Sequence, residues 1–551
     1  MFEFPYNNRN SAIIISVILA FIFFVKLPSV LTSDIQPWDE GLYAVRVLSI
    51  HYNGDFIDQT LHSVGKFYSS SHPPLLIWIG YFVTLITGVY PAVLKIIPLI
   101  FSLLCVYFIF RIGSMLFEYR TGILSAVLFS GNIVFNVFSK RFQFDIPYTA
   151  FVIISVYFFL LYLKNRKNVY NIIAGVFFGL CLMTKIIVGI YIPLIIFIAW
   201  IFLRQKINYK FRDFLLFFFI GLLISVPWHV YMLITHGSEF LDYFFTFHIF
   251  ERAFKGVEYN VKNTGLFFYF NYLLSVIPFS VIVFISLFRD IGRFARLNWK
   301  KIFLWIWFVF GFIIISLFRT KLESYILMIL PPFSVLAAEY VKQLKEASRI
   351  EKFLVVFTTL FNIIWFATFD YRSMLKSIEI FSVGFVYFMM IALFLAFLSV
   401  VISFYMSKKD ISKVYQTFIL LFFLGINVYY AVQIPAWDNT YKINEIEKTV
   451  GQNKNVNIIY IGSNYRYNAQ FNFYFKGAGL ENWNSGYNYI FFDTKNGTEN
   501  IRNYLSNEKK RFNVIVEKDK INRGEYTDSK NFIPDNYRLL IKSHGYELYE
   551  K

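Results

Sequence analysis

Ionisable residues gather at a few places along an otherwise apolar chain, and their types there suit chemistry on a phosphate-linked substrate. Trp38-Asp39-Glu40-Gly41-Leu42-Tyr43-Ala44 sets two carboxylates side by side just after the first long apolar run. Adjacent carboxylates point to different sides of a helix or strand, so one of the two is expected to face a reaction centre. The alternative is a pair of acids at the start of a helix from Gly41 to Ile50, where the helix dipole favours negative charge. Ser139-Lys140-Arg141-Phe142-Gln143-Phe144-Asp145 adds a third carboxylate beside two bases. Lys185 sits between two apolar runs in Leu182-Met183-Thr184-Lys185, where snorkelling to lipid headgroups is the competing reading. Arg319-Thr320-Lys321-Leu322-Glu323-Ser324-Tyr325 packs two bases into a very short loop. Together these offer cations for a lipid phosphate, an acid to act as base, and apolar flanks for a lipid tail. Anionic headgroup binding without chemistry would use the same residue types.

The elements that position these residues are membrane helices. The 551 residues are 57% apolar and only 16% charged, far from the usage of soluble domains. The apolar residues fall into stretches of about 17–23, the length that crosses roughly 30 Å of hydrocarbon as a helix. No apolar segment alternates strictly, as the strands of a membrane barrel would. Cys105 and Cys181 both lie inside apolar stretches, which leaves no disulfide scaffold and no thiolate metal site to expect. The run Ser11 to Val30 is longer than a secretory apolar core and reads as a retained anchor.

The formal charge of +18 is spread over loops rather than gathered on one module. The segments 111–120, 164–167, 204–213, 289–301, 342–352 and 408–413 together hold 21 bases and six acids. That is the positive-inside pattern of cytoplasmic loops, and it argues against a nucleic-acid partner. Placing those loops in the cytoplasm predicts spans at 11–30, 92–110, 121–138, 146–163, 171–185, 186–203 and 214–235. Six more follow at 266–288, 302–318, 326–341, 353–368, 383–405 and 414–435. Thirteen spans put the N-terminus inside and the C-terminus outside. Leu75 to Val89 is apolar enough to cross, but counting it would reverse everything before it, so it is expected to lie in the outer interface or dip partway into the membrane. The outer face then carries a first loop, 31–91 with that helix, and the loops 139–145, 236–265, 319–325 and 369–382. After Pro435 the composition turns to Asn, Lys, Glu and Tyr, with short β-type runs at Val456-Ile461, Tyr489-Phe492 and Phe512-Val516 and a helical stretch near 500–510. The expected organisation is a membrane domain over 1–435 and an extracytoplasmic α/β domain over 436–551.

The ordered set Asp39-Glu40-x-x-Tyr43-Ala44, His72-Pro73-Pro74-Leu75, Arg141-x-x-x-Asp145, Thr184-Lys185 and Lys321-Leu322-x-x-Tyr325 resembles the GT-C membrane glycosyltransferases. Within them it is most similar to the superfamily of aminoarabinose (lipid A) transferases and protein O-mannosyltransferases. The resemblance covers roughly residues 10 to 340. It implies a sugar donor on a polyprenyl phosphate, an extracytoplasmic acceptor, an inner-membrane location in bacteria, and reaction on the outer face. It also implies Asp39 as the essential carboxylate, with Glu40 beside it and Asp145 as second acid. Lys185 would contact the donor phosphate, and Arg319, Lys321 and Tyr325 would join it. Tyr43, His72, Arg141, His248 and Arg252 complete the candidate site, the last two through a loose match in Phe247-His248-Ile249-Phe250-Glu251-Arg252. The chain departs from the aminoarabinose transferases at Ser71-His72-Pro73-Pro74, where those enzymes carry Glu-Lys before the prolines. That loss leaves the involvement of a divalent metal, and the sugar, open. A lipid-linked-sugar flippase or other transporter is the rival reading. It calls for polar groups through mid-span positions and repeat symmetry, whereas the informative charges here collect at one face. A non-catalytic scaffold would leave Asp39, Lys185 and Arg319 without a role.

Overall fold

A computed structural model describes residues 9–185, 189–256, 265–277, 279–293, 297–359, 361, 411–452, 457–462, 468–478, 481–482, 488–494, 497–508, 512–518, 531–543 and 545–551. The chain opens with α1 (Arg9–Thr32), α2 (Asp39–Asn53), the single turn α3 (Phe67–Ser70) and α4 (Leu75–Thr87). Next come α5 (Pro91–Leu116), α6 (Tyr119–Ser130), α7 (Ile133–Phe138), α8 (Asp145–Asn165), α9 (Asn168–Leu182), α10 (Tyr191–Leu203) and α11 (Phe211–Leu241). A π-helical segment, Asp242–Lys255, continues from α11, and α12 (Phe268–Val276), α13 (Ser280–Ile291), α14 (Trp299–Leu317) and α15 (Leu330–Gln343) follow. The last long helix is α16 (Ile411–Asn439).

Six helices among the described residues are long and apolar enough to cross a membrane, and α4, α9 and α10 are shorter apolar helices. α8 is buried on nearly every side, as expected of a helix that is apolar all round and surrounded by other helices. α11 instead leaves Phe219, Leu223 and Ile234 exposed, which suits a helix facing lipid. α5 and α6 approach closely because both contact points are small: a Cβ added to Gly113 would lie 2.9 Å from the Gly122 Cα.

Several expected spans are broken or shifted. The span at 121–138 is two helices, α6 and α7, parted at Gly131 and Asn132, whose side chain accepts a hydrogen bond from the Phe135 N–H and so starts a new helix. The span at 266–288 is likewise split, into α12 and α13. The span at 326–341 begins as a 3-10 turn, Glu323–Met328, before α15. The loop expected over 236–265 is helical as far as Lys255, re-aimed by Gly237 at φ 55°. The spans at 383–405 and, beyond residue 361, 353–368 lie outside the described residues, as do the outer loop 369–382 and the bases Arg296, Lys408 and Lys409.

α16 runs through Pro435 and leads into α17 (Ile443–Gln452), which opens a small α/β unit. Its strands are β1 (Asn457–Gly462), β2 (Gly477–Ala478), β3 (Glu481–Asn482), β4 (Asn488–Asp493), β5 (Phe512–Glu517), β6 (Arg538–Lys542) and β7 (Tyr546–Glu550). The main sheet has the order β4-β1-β5-β7-β6, with β4, β1 and β5 parallel and the last two antiparallel. α18 (Ala469–Tyr474) and α19 (Thr498–Asn507) complete the unit, and separate apolar clusters, around Ile458 and Ile515 and around Ile459 and Val514, bury the two faces of the sheet. The three strands legible in the sequence are β1, β4 and β5. The other four are short or carry charged residues, which hid them.

Candidate active site

α2 is the element that aims the paired carboxylates. It begins at Asp39 immediately after Trp38, whose φ of 71° is unusual for a residue with a Cβ and turns the chain sharply into the helix. From Glu40 to Ile50 the helix is buried. Gly41 lets α18 pack directly on it: an added Cβ would lie 2.7 Å from the Ala469 carbonyl carbon and closer still to the Gln470 backbone nitrogen. Held this way, the two carboxylates part company. Glu40 is fully buried, takes a salt bridge from Lys95 at 3.0 Å, and accepts the backbone N–H groups of Phe142 at 2.8 Å and Gln36 at 2.9 Å. Arg141 adds a contact at 3.6 Å. Asp39 stays partly exposed, close enough to Tyr43 and Lys185 for its charge to act on both.

A pocket opens beside it, lined by His72, Lys185, His248, Arg252, Phe318 and Tyr325 among others. Lys185 reaches Asp145 at 3.2 Å, and its ammonium lies 5.5 Å from the centre of the Tyr325 ring. Burial works against the charged form of Lys185, but Asp145, then Tyr325 and Asp39, outweigh it and hold its pKa above the ordinary value. The His72 and His248 rings sit 4.4 Å apart, and Tyr43 packs on Phe144 at 4.2 Å. Burial, then the neighbouring His248, Arg252 and Lys185, push the His72 pKa well below its ordinary value, so its imidazole is neutral at neutral pH.

The walls are fixed by buried polar contacts. Arg46, with no exposed surface, donates to the carbonyls of Ser69 at 3.0 Å and His72 at 2.9 Å and to Gln59 at 2.8 Å. Burial pushes its pKa down to about 10, which leaves it charged. The Leu75 N–H donates to the Met183 carbonyl at 3.2 Å, tying the start of α4 to the turn that carries Lys185. On the far wall, Arg319 and Thr320 donate backbone N–H groups to Ala253 and Arg252 at 3.0 and 2.9 Å.

The structure therefore gathers Asp39, Tyr43, His72, Asp145, Lys185, His248, Arg252 and Tyr325 at one end of the helices. Glu40 and Arg141 lie next door in a buried ion network, where Arg141 meets Asp438 at 2.6 Å and Lys140 meets it at 2.7 Å. Lys321 points into the end of α14, donating to the carbonyls of Ser316 and, at 2.5 Å, Phe318. Arg319 is exposed. Arg46, Lys95 and Asp438 escaped the reading of the sequence, although Lys95, an ionisable residue inside an apolar stretch, carried a signal. Among the described residues no three His, Cys, Asp or Glu side chains come together as a metal site.

Residues 71–231 match the family model of dolichyl-phosphate-mannose-protein mannosyltransferases. An uncharacterised protein of Aquifex aeolicus is 25% identical over 242 residues, 42% of this chain and 46% of that protein. The undecaprenyl phosphate-alpha-4-amino-4-deoxy-L-arabinose arabinosyl transferase of Edwardsiella ictaluri is 26% identical over 180 residues, 31% of each chain. This chain thus spans less than half the length of either relative. In three dimensions the similarity extends much further. The crystal structure of ArnT from Cupriavidus metallidurans bound to undecaprenyl phosphate superimposes with a TM-score of 0.70 at 14% identity, covering 98% of this chain and 97% of that one. Helix bundle, outer-loop helices and terminal sheet together give this chain the fold of the GT-C membrane glycosyltransferases, in the form seen in ArnT.

Proposed function

We propose that the protein is an integral-membrane glycosyltransferase that moves a sugar from a polyprenyl phosphate to a hydroxyl-bearing acceptor on the extracytoplasmic side, in a bacterial inner membrane. The observation that carries this reading is the meeting of Lys185 and Arg252 in one pocket, with Asp145 paired to Lys185 and Asp39 near enough for its charge to act on Lys185, in a fold that, in ArnT, is seen with undecaprenyl phosphate. Asp39, partly exposed and close enough to Lys185 for its charge to act there, accepts the proton of the acceptor hydroxyl as its oxygen attacks the anomeric carbon. The bond from that carbon to the phosphate oxygen breaks, its electron pair stays with the phosphate, and polyprenyl phosphate leaves. The proton on Asp39 passes to water. A departing phosphate needs charge stabilisation rather than protonation, and Lys185 and Arg252 face the pocket to supply it. Asp145 orients Lys185, and Tyr325 supports the ammonium through its ring face. The phosphate contacts are better assigned to these two cations than to Arg319 and Lys321, since Lys321 is committed to helix carbonyls. One direct displacement inverts the anomeric centre.

The test is to reconstitute the full chain with polyprenyl-phosphate sugars and candidate lipid, protein and cell-envelope polymer acceptors, and to follow both products by mass spectrometry. A glycosylated acceptor formed together with free polyprenyl phosphate supports transfer. Movement of intact donor across the bilayer with neither product supports the flippase instead.

A further inference from the structure

A second concavity lies at the opposite end of the same helices. α8 carries Asp145 at its start and Lys164 in its last turn; its 21 residues at about 1.5 Å each separate the two by roughly 30 Å. α14 runs the other way, from Trp299 and Lys300 up to Phe318 beside the candidate active site. The ends of α5, α8 and α14 and the turn after α10 thus enclose a pocket that holds the basic side chains Lys164, Arg166, Lys206 and Lys300. Among the described residues that line it, none is acidic. Arg166 donates from its guanidinium to the Asn208 carbonyl, and the nearby bases Lys301 and Lys342 meet Asp290 at 2.7 Å and Glu118 at 3.0 Å.

The other half of the pocket is apolar, with Leu160, Leu163, Ile207 and Trp299. Phe202 and Ile201, at the end of α10 a few residues before Lys206, are 64% and 47% exposed and extend an apolar surface beside it. A small soluble anion has no use for such a wall, whereas a phosphodiester attached to acyl chains matches both halves. A tryptophan at the level of the bases is what a membrane interface favours. Four cations at the end of a bundle, next to apolar helix surface, are the arrangement that holds anionic headgroups between membrane helices.

We propose that this pocket binds the phosphate of an anionic glycerophospholipid in the leaflet opposite the candidate active site. Lys164, Arg166, Lys206 and Lys300 surround the headgroup, and the acyl chains lie along α10. The site is independent of sugar transfer, because it shares no residue with the other pocket.

Native mass spectrometry of the full chain in detergent, titrated with phosphatidylglycerol, reads the binding directly. The triple variant Lys164→Gln, Lys206→Gln, Lys300→Gln is expected to hold phosphatidylglycerol about tenfold or more weakly. The Lys→Arg triple at the same positions keeps charge and restores retention, which separates a lost site from a misfolded chain. Arg204→Gln with Arg212→Gln, on the same face but outside the pocket, leaves binding within about twofold of the parent chain. Equal retention by the Gln triple and the parent chain overturns the proposal. So does equal retention of phosphatidylcholine, which marks a non-electrostatic groove, or displacement of phosphatidylglycerol by stoichiometric inorganic phosphate, which marks a soluble-anion site.

Discussion

Asp39 and Glu40 differ by one position, and one position on a helix is about 100° of rotation, enough to leave one carboxylate partly exposed and bury the other against Lys95. Asp39→Asn keeps the shape and removes the basicity, so turnover should fall by about 10²–10⁴-fold with donor binding retained, measured by steady-state kinetics beside a donor-binding assay. Glu40→Gln acts through folding instead. It leaves Lys95 buried without its counter-charge, a loss on the order of 3–5 kcal/mol that should show as a lowered unfolding midpoint of the purified chain. A Glu40→Gln chain as stable as the parent but as slow as Asp39→Asn would exchange the two assignments. The same contrast separates the two lysines. Lys185→Ala should weaken the binding of polyprenyl phosphate itself, because the ammonium faces the pocket. Lys321→Ala should destabilise the end of α14 and leave lipid-phosphate affinity per folded molecule unchanged. Isothermal titration with polyprenyl phosphate, run beside thermal unfolding, distinguishes them.

At the scale of elements, catalytic geometry depends on how α2 seats on α18. Gly41→Ala forces a methyl group into the Gln470 backbone, and a backbone cannot swing aside as a side chain can. The expected cost is about 1–3 kcal/mol with a fall in turnover, since Asp39 moves with the helix; Gly41→Ala with unaltered turnover and unfolding would show that the contact is looser than this packing implies. A second joint ties the first outer loop to α11, where the Asp58 carboxylate meets the His236 ring at 2.6 Å beside the Gly237 kink. Burial alone would raise the Asp58 pKa, but hydrogen bonds from Thr60 and His236 outweigh it and hold it below the ordinary 3.8. A depressed carboxylate pKa gives stability that is complete above the unfolded value and is lost as pH falls through the folded one. Hydrogen exchange at the end of α11 should therefore be steady from neutral pH down to about 4 and quicken below it, after correction for intrinsic exchange. In Asp58→Asn that acid-dependent quickening should be absent.

For the whole molecule, a buried ion network ties the end of α16 to the 139–145 loop, and hydrogen bonds beside it join the first outer loop to the C-terminal unit. Asp438, at the end of α16, takes Lys140 and Arg141, while Asp34 accepts the Asn444 N–H at 2.8 Å and the Ile35 N–H donates to the Tyr474 hydroxyl at 3.1 Å. Burial, with the neighbouring cations Arg141 and Lys95, pushes the Lys140 pKa down to about 8 despite Asp438 beside it. The C-terminal unit thus supports the pocket indirectly by holding α2 through α18, while the end of α16 holds Arg141 through Asp438. The two ends of the bundle should lie on opposite sides of the bilayer. With Cys105 and Cys181 replaced, a cysteine at exposed Leu61 should react with an impermeant reagent from outside, and one at Lys206 only after permeabilisation. Labelling of both from the same side would refute the topology.

What the sequence determined by itself was the class of molecule, because composition and the length of apolar runs depend only on the solvent a helix must match. It also marked short segments as candidates for chemistry, and the fold brings residues of 39–43, 72–75, 141–145, 184–185, 248–252 and 319–325 to the pocket or beside it. Within those segments it could not separate working residues from supporting ones. Whether a carboxylate meets Lys95 or stays partly exposed near Lys185, or a lysine reaches helix carbonyls or a pocket, depends on partners far away in the chain. Glu40 is 55 residues from Lys95 and Lys140 is 298 from Asp438. Asp39 and Glu40, or Lys185 and Lys321, are chemically alike as isolated side chains. Tertiary packing alone decided that Glu40 and Lys321 are buried against fixed partners, while Asp39 stays partly exposed and Lys185 lines the pocket.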